Sequence, residues 1–544
     1  MKRDLHKISE EKFDLLIIGG GIYGAALFWR TSLAGYSVAL IEQNDFGSGT
    51  SSNSQKIIHG GLRYLQNLDL LRIRHSINER KRLFWLAPHL ISPLPCIMPL
   101  YGHKTKGKEV LKIAVKLYDL ISADRNNIPD KSKHIPDGKT LSKKKINELL
   151  PGIEQKGLNG GVLWYDAFCN NTERLIISFI KSGVNFGSSC ANYLKAEKLI
   201  IENNTAKGAL VTDKLSGNQF SISAEKVIDC TGPSQNEFSR CYEIPKLKYV
   251  AGLNIVIKRL FSHNFAVGVE NKIHNRLYFA APWNDKTILG TDWYPAPEPE
   301  KFEFKKIHVR KLIENFNETY PSLNLKLDDV EFVLKGFVPA SNNLQDSNSI
   351  LPHFRIVNTE NNGLKSFYKI IGVKYTTAVN VAESFLKTCT AGFKKLSLKE
   401  QPKLVGGEID NTIEFREQIE NNFKNRFTKY DLDRLINNYG SEIFKIIGQG
   451  FDIQPDDHYS ILKSEIIYAI RDEMALHLDD VVFRRTDLGS SGIPSETDLE
   501  IASNIMSEEL NWTETETIEE ISRVEKYYSI INKNQVFKQN VVLK

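Results

Sequence analysis

The strongest constraint on the fold lies near the N-terminus. Phe13–Ile18 is a short apolar run that leads into Gly19-Gly-Gly-Ile-Tyr-Gly24. A small-and-apolar pattern at helical spacing follows from Ala25 to Ala34, then Gly35-Tyr-Ser, then Val38-Ala-Leu-Ile-Glu42. In order these read as strand, tight turn, helix, turn and strand closed by an acid, a βαβ unit of about 30 residues. Gly19, Gly21 and Gly24 let the backbone approach a pyrophosphate at the positive end of a helix. Glu42, with Gln43 beside it, is placed to bind a ribose. A bare GxGxxG is a weak signal, but strand, helix and acid all fall where the fingerprint needs them, so the segment predicts dinucleotide binding.

A nicotinamide domain usually continues with consecutive βα units. This chain leaves the pattern after Glu42 and returns to it at Lys226-Val-Ile-Asp-Cys-Thr-Gly-Pro233, where an apolar strand runs into Thr231 and Gly232. Interrupted halves favour FAD. Strand signals also fall near Lys198–Glu202 and Gly208–Asp213, β character dominates from Tyr249 to Thr291, and Tyr368–Gly372 is a late strand. Beyond about residue 405, Glu414–Phe423, Lys429–Tyr439, Ser464–Leu478 and Asp498–Glu509 read as amphipathic helices.

The hydrophobic fraction of 41% and charged fraction of 25% suit a globular chain and exclude disorder, collagen-like repeats and a disulfide scaffold. A net charge of only +5 argues against a dedicated nucleic-acid binder. The six scattered cysteines form no CxxC pair and no metal site is expected; reduced structural thiols in a cytoplasmic protein are. No signal peptide is predicted. The charge-poor stretch from Leu83 to His103 carries Pro88, Pro93, Pro95 and Pro99, which would break a spanning helix, so no transmembrane segment is predicted.

Between the two dinucleotide signals lies Gly49-Thr-Ser-Ser-Asn-Ser-Gln-Lys-Ile-Ile-His-Gly-Gly-Leu-Arg-Tyr-Leu65. Thr50, Ser51 and Ser52 could line a pyrophosphate or flavin, His59-Gly60-Gly61 lets backbone come close to a ring, and Arg63 and Tyr64 add a cation and a phenol. A solvated loop before a helix is the plainer reading of these residues taken alone.

This segment resembles the signature of FAD-dependent glycerol-3-phosphate dehydrogenases, flavoenzymes with a D-amino-acid-oxidase-like fold. The likeness continues in Ala87-Pro-His-Leu90, Ala281-Pro-Trp-Asn284, Gly290-Thr-Asp292, Gly372-Val-Lys-Tyr-Thr-Thr377, Tyr468–Ala475 and Asp479–Thr486. It implies an α/β architecture: a glutathione-reductase-like FAD-binding Rossmann domain interleaved with a β-rich substrate domain, plus an all-α C-terminal cap. The expected FAD-binding parts are 12–85, 160–250 and 350–400, the substrate-binding parts 86–159 and 251–349, the helical domain 405–531, and a tail 532–544.

The resemblance further implies hydride transfer from a secondary alcohol to flavin N5, with quinone or oxygen as the later electron acceptor. It puts Arg63, Tyr64 and Lys374 in the substrate pocket, and the backbone of Gly372–Thr377, including Thr376, near the flavin pyrimidine. Two cations there could neutralise an anionic substrate. His59 is the weak hint of a covalent flavin, and a non-covalent one is expected.

Two positions depart from the family pattern. The family's G-S-H, whose His is a candidate general base, is Gly252-Leu-Asn254 here, and an amide cannot take a proton at neutral pH. The family's G-x-R-P, whose Arg grips a phosphate, is Gly336-Phe-Val-Pro339, so Val338 replaces a bidentate donor. Lys335, of opposite strand parity, is a poor substitute. The expected substrate is therefore a small anionic polyol or hydroxy acid for which glycerol 3-phosphate is not the best fit, with His59 or Lys374 assisting proton removal. An amine or amino-acid oxidase on the same fold and a flavin-binding scaffold without catalysis are the rival readings.

Residues 101–145 hold twelve Lys and Arg against five acids, more than the whole net charge. Within them Lys108–Ile121 is amphipathic, with Val110, Ile113, Ala114, Leu117 and Ile121 on one stripe. Two readings stand open: a helix on an anionic membrane surface, peripheral on the inner face of the cytoplasmic membrane, or a helix packed on the core with a solvated lysine face.

Overall fold

The computed structural model describes residues 1–101, 108–235, 246–271, 276–341, 350–390, 393–448 and 458–531. The expected tail at 532–544 and Cys241 lie outside the described residues, as does the side chain of Arg63.

Lys12–Ile18 is buried on both faces, as an apolar strand must be at the centre of a parallel sheet. It pairs in parallel with Val38–Ile41 on one side and Gln219–Asp229 on the other. The sheet runs Arg355–Asn358, Phe367–Ile371, Gln219–Asp229, Lys12–Ile18, Val38–Ile41, Ser189–Ala191, and a hairpin (Leu194–Glu202, Thr205–Asp213) continues from Gln219–Asp229. One face is covered by the helices Ile22–Leu33, Thr172–Asn185 and Ala378–Cys389, packed through Phe28, Trp29, Ile176, Phe179 and Phe385. The hairpin covers the other, with Leu16, Ala209, Val211 and Ile222 between the layers.

A second, largely antiparallel sheet runs Val330–Ala340, Lys248–Lys258, Lys286–Pro295, Arg276–Trp283, Ala266–Asn271, Ile91–Tyr101, Leu158–Cys169, Ile57–Ile58, with Lys139–Leu141 on Leu158–Cys169. The proline-rich run that could not span as a helix forms the strand Ile91–Tyr101, since the fixed φ of proline suits extended chain. The division expected at residue 160 cuts through the strand Leu158–Cys169. Its pairing with Ile91–Tyr101 places it wholly in this second sheet, a long-range contact with no local signature.

The helices Thr412–Phe423, Lys429–Tyr439, His458–Glu473, Glu496–Leu510 and Glu514–Glu525 form the C-terminal region. Leu462, Ile466, Val482 and Phe483 share a core with Ile288, Phe332 and Leu334, so this region closes over one face of the second sheet.

The helix Lys108–Ile121 forms as expected, but its packed side differs from the predicted stripe. Val115 and Tyr118 are buried, whereas Ile113 and Leu117 face outward with Leu120, which is 73% exposed. The inward face is set by the cluster of Leu65, Ile73, Ile77 and Tyr118, from an element that the helix pattern alone does not reveal.

Candidate active site

A continuous cleft of about 940 Å³ is lined by residues of both sheets. That is the upper end of ordinary small-molecule sites, roughly 300–1,000 Å³. At one end it is bordered by Gly19, Gly21, Glu42, Gln43, Thr231 and Gly232, along its length by Thr50, Ser51 and Ser52, and at the other end by His59, Tyr64, Asn254, Gly372, Lys374 and Thr376. Fifteen of the residues singled out above thus border one space. Gly24, Gly60, Gly61 and Thr377 lie behind the wall, and their contributions are to packing and capping.

The dinucleotide end is made chiefly of backbone. A Cβ on Gly24 would lie 1.8 Å from the carbonyl oxygen of Gly19, so the first helical turn can approach the strand only without one. Ser51 Oγ accepts from the N–H of Ile22 at 3.0 Å, drawing the hydroxyl-rich loop onto the helix start. Glu42 accepts from the N–H groups of Gly20 at 2.7 Å and Asn44 at 2.9 Å. Burial raises its carboxyl above the ordinary range, against the pull of these two donors. Thr50 ties the loop to the second sheet, accepting from the N–H of Phe337 at 3.0 Å.

The C-terminal region closes this end, a role the sequence did not reveal. Asp45, fully buried, accepts from Arg484 Nε at 2.6 Å and from both Nη atoms of Arg485 at 2.8 Å. Arg484 also reaches Asp479 at 2.8 Å and Asp480 at 2.6 Å, and it borders the cleft with Tyr527. Burial would raise the Asp45 carboxyl, but the two guanidinium groups outweigh it and hold it low.

The opposite end is made of side chains. His59 Nδ1 lies 3.0 Å from Asp166 Oδ2. Asp166 is buried and also accepts from the N–H of Gly60 at 2.7 Å and from Trp164 Nε1 at 3.3 Å. Burial opposes its charge, but the hydrogen bond from His59 and the charges of His59 and Arg80 keep it below the usual carboxylate range. With Nδ1–H donated to Asp166, Nε2 of His59 is left as the basic nitrogen, and it has no protein partner among the described residues. An acid inside the apolar strand Leu158–Cys169 was the available signal for Asp166, and sequence reasoning passed over it.

Tyr23, inside the glycine motif, positions Lys374. Its hydroxyl donates to the carbonyl of Lys374 at 2.6 Å and accepts from the N–H groups of Val373 at 2.9 Å and Lys374 at 2.8 Å. A Cβ on Gly372 would lie 1.9 Å from the Tyr23 ring, which explains the glycine there. Lys374 Nζ stands 4.1 Å from the centre of the Tyr64 ring, with no ion-pair partner among the described residues. Burial and the charge of Arg72 lower the ammonium to about 7, with Asp69 opposing.

Asn254 is buried at the cleft, and its Oδ1 accepts from the Thr291 hydroxyl at 2.7 Å, which leaves the amide N–H groups to donate. Val338 and Lys335 both border the cleft; the N–H of Lys335 donates to Asn53 at 3.0 Å. The size of the cleft, the glycine turn at a helix start and the hydroxyl loop together fit an extended dinucleotide.

Comparison with known proteins agrees. Residues 14–368 match the model of the FAD dependent oxidoreductase family, and residues 398–517 that of the C-terminal domain of alpha-glycerophosphate oxidase. A glycerol-3-phosphate dehydrogenase of Synechocystis sp. is 27% identical over 96% of this chain and 98% of its own length. An alpha-glycerophosphate oxidase of Streptococcus pyogenes is 33% identical over 63% of this chain and 57% of its own length. The crystal structure of glycerol-3-phosphate dehydrogenase from Bacillus halodurans complexed with FAD shares the fold, at TM-score 0.77 and 23% identity over 96% of both chains. The helical C-terminal region and the two-sheet α/β body therefore follow a known plan: the chain belongs to the family of FAD-dependent oxidoreductases.

Proposed function

We propose that this enzyme oxidises the secondary alcohol of a small anionic polyol or hydroxy acid. FAD, when bound, supplies the hydride acceptor. The single observation that carries the reading is the continuous cleft, which joins the glycine turn to His59, Asn254 and Lys374. In it, Gly19, Gly21, Glu42, Gln43, Thr50, Ser51, Ser52, Thr231 and Gly232 would hold the dinucleotide, and Gly372–Thr377 the ring end.

His59 takes the hydroxyl proton on Nε2 as the hydride leaves carbon, so the alcohol loses two electrons and two hydrogens and becomes a carbonyl. Asp166 fixes the imidazole tautomer and stabilises the imidazolium that forms. Asn254 donates a hydrogen bond to the substrate oxygen in place of a second base. Lys374, with Arg63 as the family resemblance implies, faces the substrate's charge. Val338 offers no fork for a phosphate, which supports a substrate other than glycerol 3-phosphate. The test is anaerobic bleaching of the flavin spectrum across hydroxy acids, polyol phosphates and amines. We expect a hydroxy acid or another polyol phosphate to outperform glycerol 3-phosphate, and release of ammonia during turnover would overturn the alcohol reading.

Electrons pass on to quinone or oxygen. Among the described residues no helix is long and apolar enough to cross a membrane. The outward face of Lys108–Ile121 instead combines Ile113, Leu117 and Leu120 with Lys112 and Lys116, and Leu68 and Leu71 are exposed as well. Apolar side chains interleaved with lysines suit the headgroup region of an anionic bilayer. Flotation with anionic vesicles checks this, and failure to float at low salt would remove it.

A further inference from the structure

We propose that Arg72 and Lys374, both held on the ring of Tyr64, form an oxyanion subsite that takes the charged end of the substrate, a phosphate or a carboxylate. The inference deepens the functional reading above and rests on it.

Arg72 is the third residue of the helix Leu70–Leu86, which packs on the turn Tyr375–Thr377 next to Lys374. Its guanidinium carbon lies 4.1 Å from the Tyr64 ring centre, the same distance as Lys374 Nζ. The two cations are therefore no further apart than twice that distance, on a ring that borders the cleft. Neither has an ion-pair partner among the described residues, and Arg72 Nε is buried without a hydrogen bond.

Fully buried guanidinium groups of this protein are treated differently from the half-buried Arg72. Arg174 is paired with Glu473 and Arg485 with Asp45. Asp69 is the one carboxylate that acts on Lys374, and its Oδ1 accepts from the N–H of Arg72 at 3.0 Å, as the cap of the helix. Two like charges on one ring, partly desolvated and opposed by Asp69 alone without an ion pair, are unfavourable until an anion joins them. The cation–π contact offsets only part of that. An arginine offers a planar fork that matches an oxyanion, the property missing at Val338. The helix Leu70–Leu86 thereby supplies a guanidinium that the strand Val330–Ala340 lacks.

The test titrates the FAD-loaded enzyme with inorganic phosphate by calorimetry, which needs no turnover. Wild type should bind it, Arg72→Met should weaken binding tenfold or more, and Arg72→Lys should lose less because the charge stays. The preference for charged over uncharged polyols in flavin bleaching should fall by a similar factor in Arg72→Met, and a polyol phosphate compared with a hydroxy acid of equal length identifies the anion. Without Arg72, the Lys374 ammonium should titrate higher, read as slower labelling by an amine reagent near pH 8. Equal phosphate binding by wild type and Arg72→Met overturns the subsite, as does no binding by either. An Arg72→Met defect confined to vesicle flotation also overturns it and assigns the residue to the surface. Phosphate binding through Arg72 without any alcohol that reduces the flavin would leave the subsite standing and sink the functional reading alone.

Discussion

The two ends of the cleft are built on opposite principles. The dinucleotide end uses backbone N–H groups, glycines and a short hydroxyl-bearing loop, locked from outside by buried ion pairs between Asp45 and the C-terminal region. The opposite end, where we propose the substrate binds, is lined by the side chains of His59, Tyr64, Asn254 and Lys374, brought from distant points in the chain, with Asp166 bonded to His59 and Tyr23 to the backbone of Lys374. Backbone construction needs one geometry and gives the same binding face whatever surrounds it. Side-chain construction can be re-specified by single substitutions, and this chain carries two such departures, Asn254 and Val338. The cofactor is thus shared with the relatives, while the substrate need not be.

The hardest way to break this division is to unlock the backbone end. Asp45→Asn leaves two buried guanidinium groups facing a neutral amide, a loss of about 3–5 kcal/mol by the usual cost of breaking a buried pair. We expect a lower Tm and loss of flavin on gel filtration. Unchanged flavin content would show that the C-terminal region does not hold the dinucleotide end.

A change at the other end should leave the cofactor and remove chemistry. Asp166→Asn replaces the carboxylate that sets the His59 tautomer with an uncharged amide that can also donate, and flavin reduction should slow by about 100-fold. His59→Gln should slow it by a similar factor, and the double variant little further, because the two act as one unit. A purely structural Asp166 would instead lower Tm without altering the pH profile of reduction.

The mildest change probes the thread between the ends. Tyr23→Phe deletes the hydroxyl that ties the glycine motif to the Lys374 turn, a loss of about 1 kcal/mol per neutral hydrogen bond. The expected result is full flavin content with a several-fold weaker substrate KM, and a fall in flavin content instead would place Tyr23 with the backbone end.

The degree to which each end was legible follows the same line. The glycine motif, Glu42 and the return strand before Thr231 were readable because they depend on φ freedom, apolar runs and spacing within some 30 residues. Lys374, Tyr64 and His59 were readable through family resemblance, and the structure brings all three to one cleft. Asp166, Tyr23 and Arg72 were not: each is an ordinary residue of its own element, an acid in a strand, a phenol in the first turn of a helix, a cation on another helix. Their roles exist only where another element arrives beside them.

The sequence by itself determined the βαβ unit, the flavin class and the helical C-terminus, and it carries Asn254 and Val338 where the resemblance leads one to expect His and Arg. These are properties of local backbone preference and of residue identity. Only the tertiary structure decided that Asp166 orients His59, that Asp45 binds Arg484 and Arg485 across more than 400 residues, and that Arg72 shares the Tyr64 ring with Lys374. Desolvation and charge pairing act over a few ångströms of space and carry no period along the chain. That is the physical reason why the cofactor could be read from the sequence, whereas the side-chain arrangement at the other end of the cleft had to be seen.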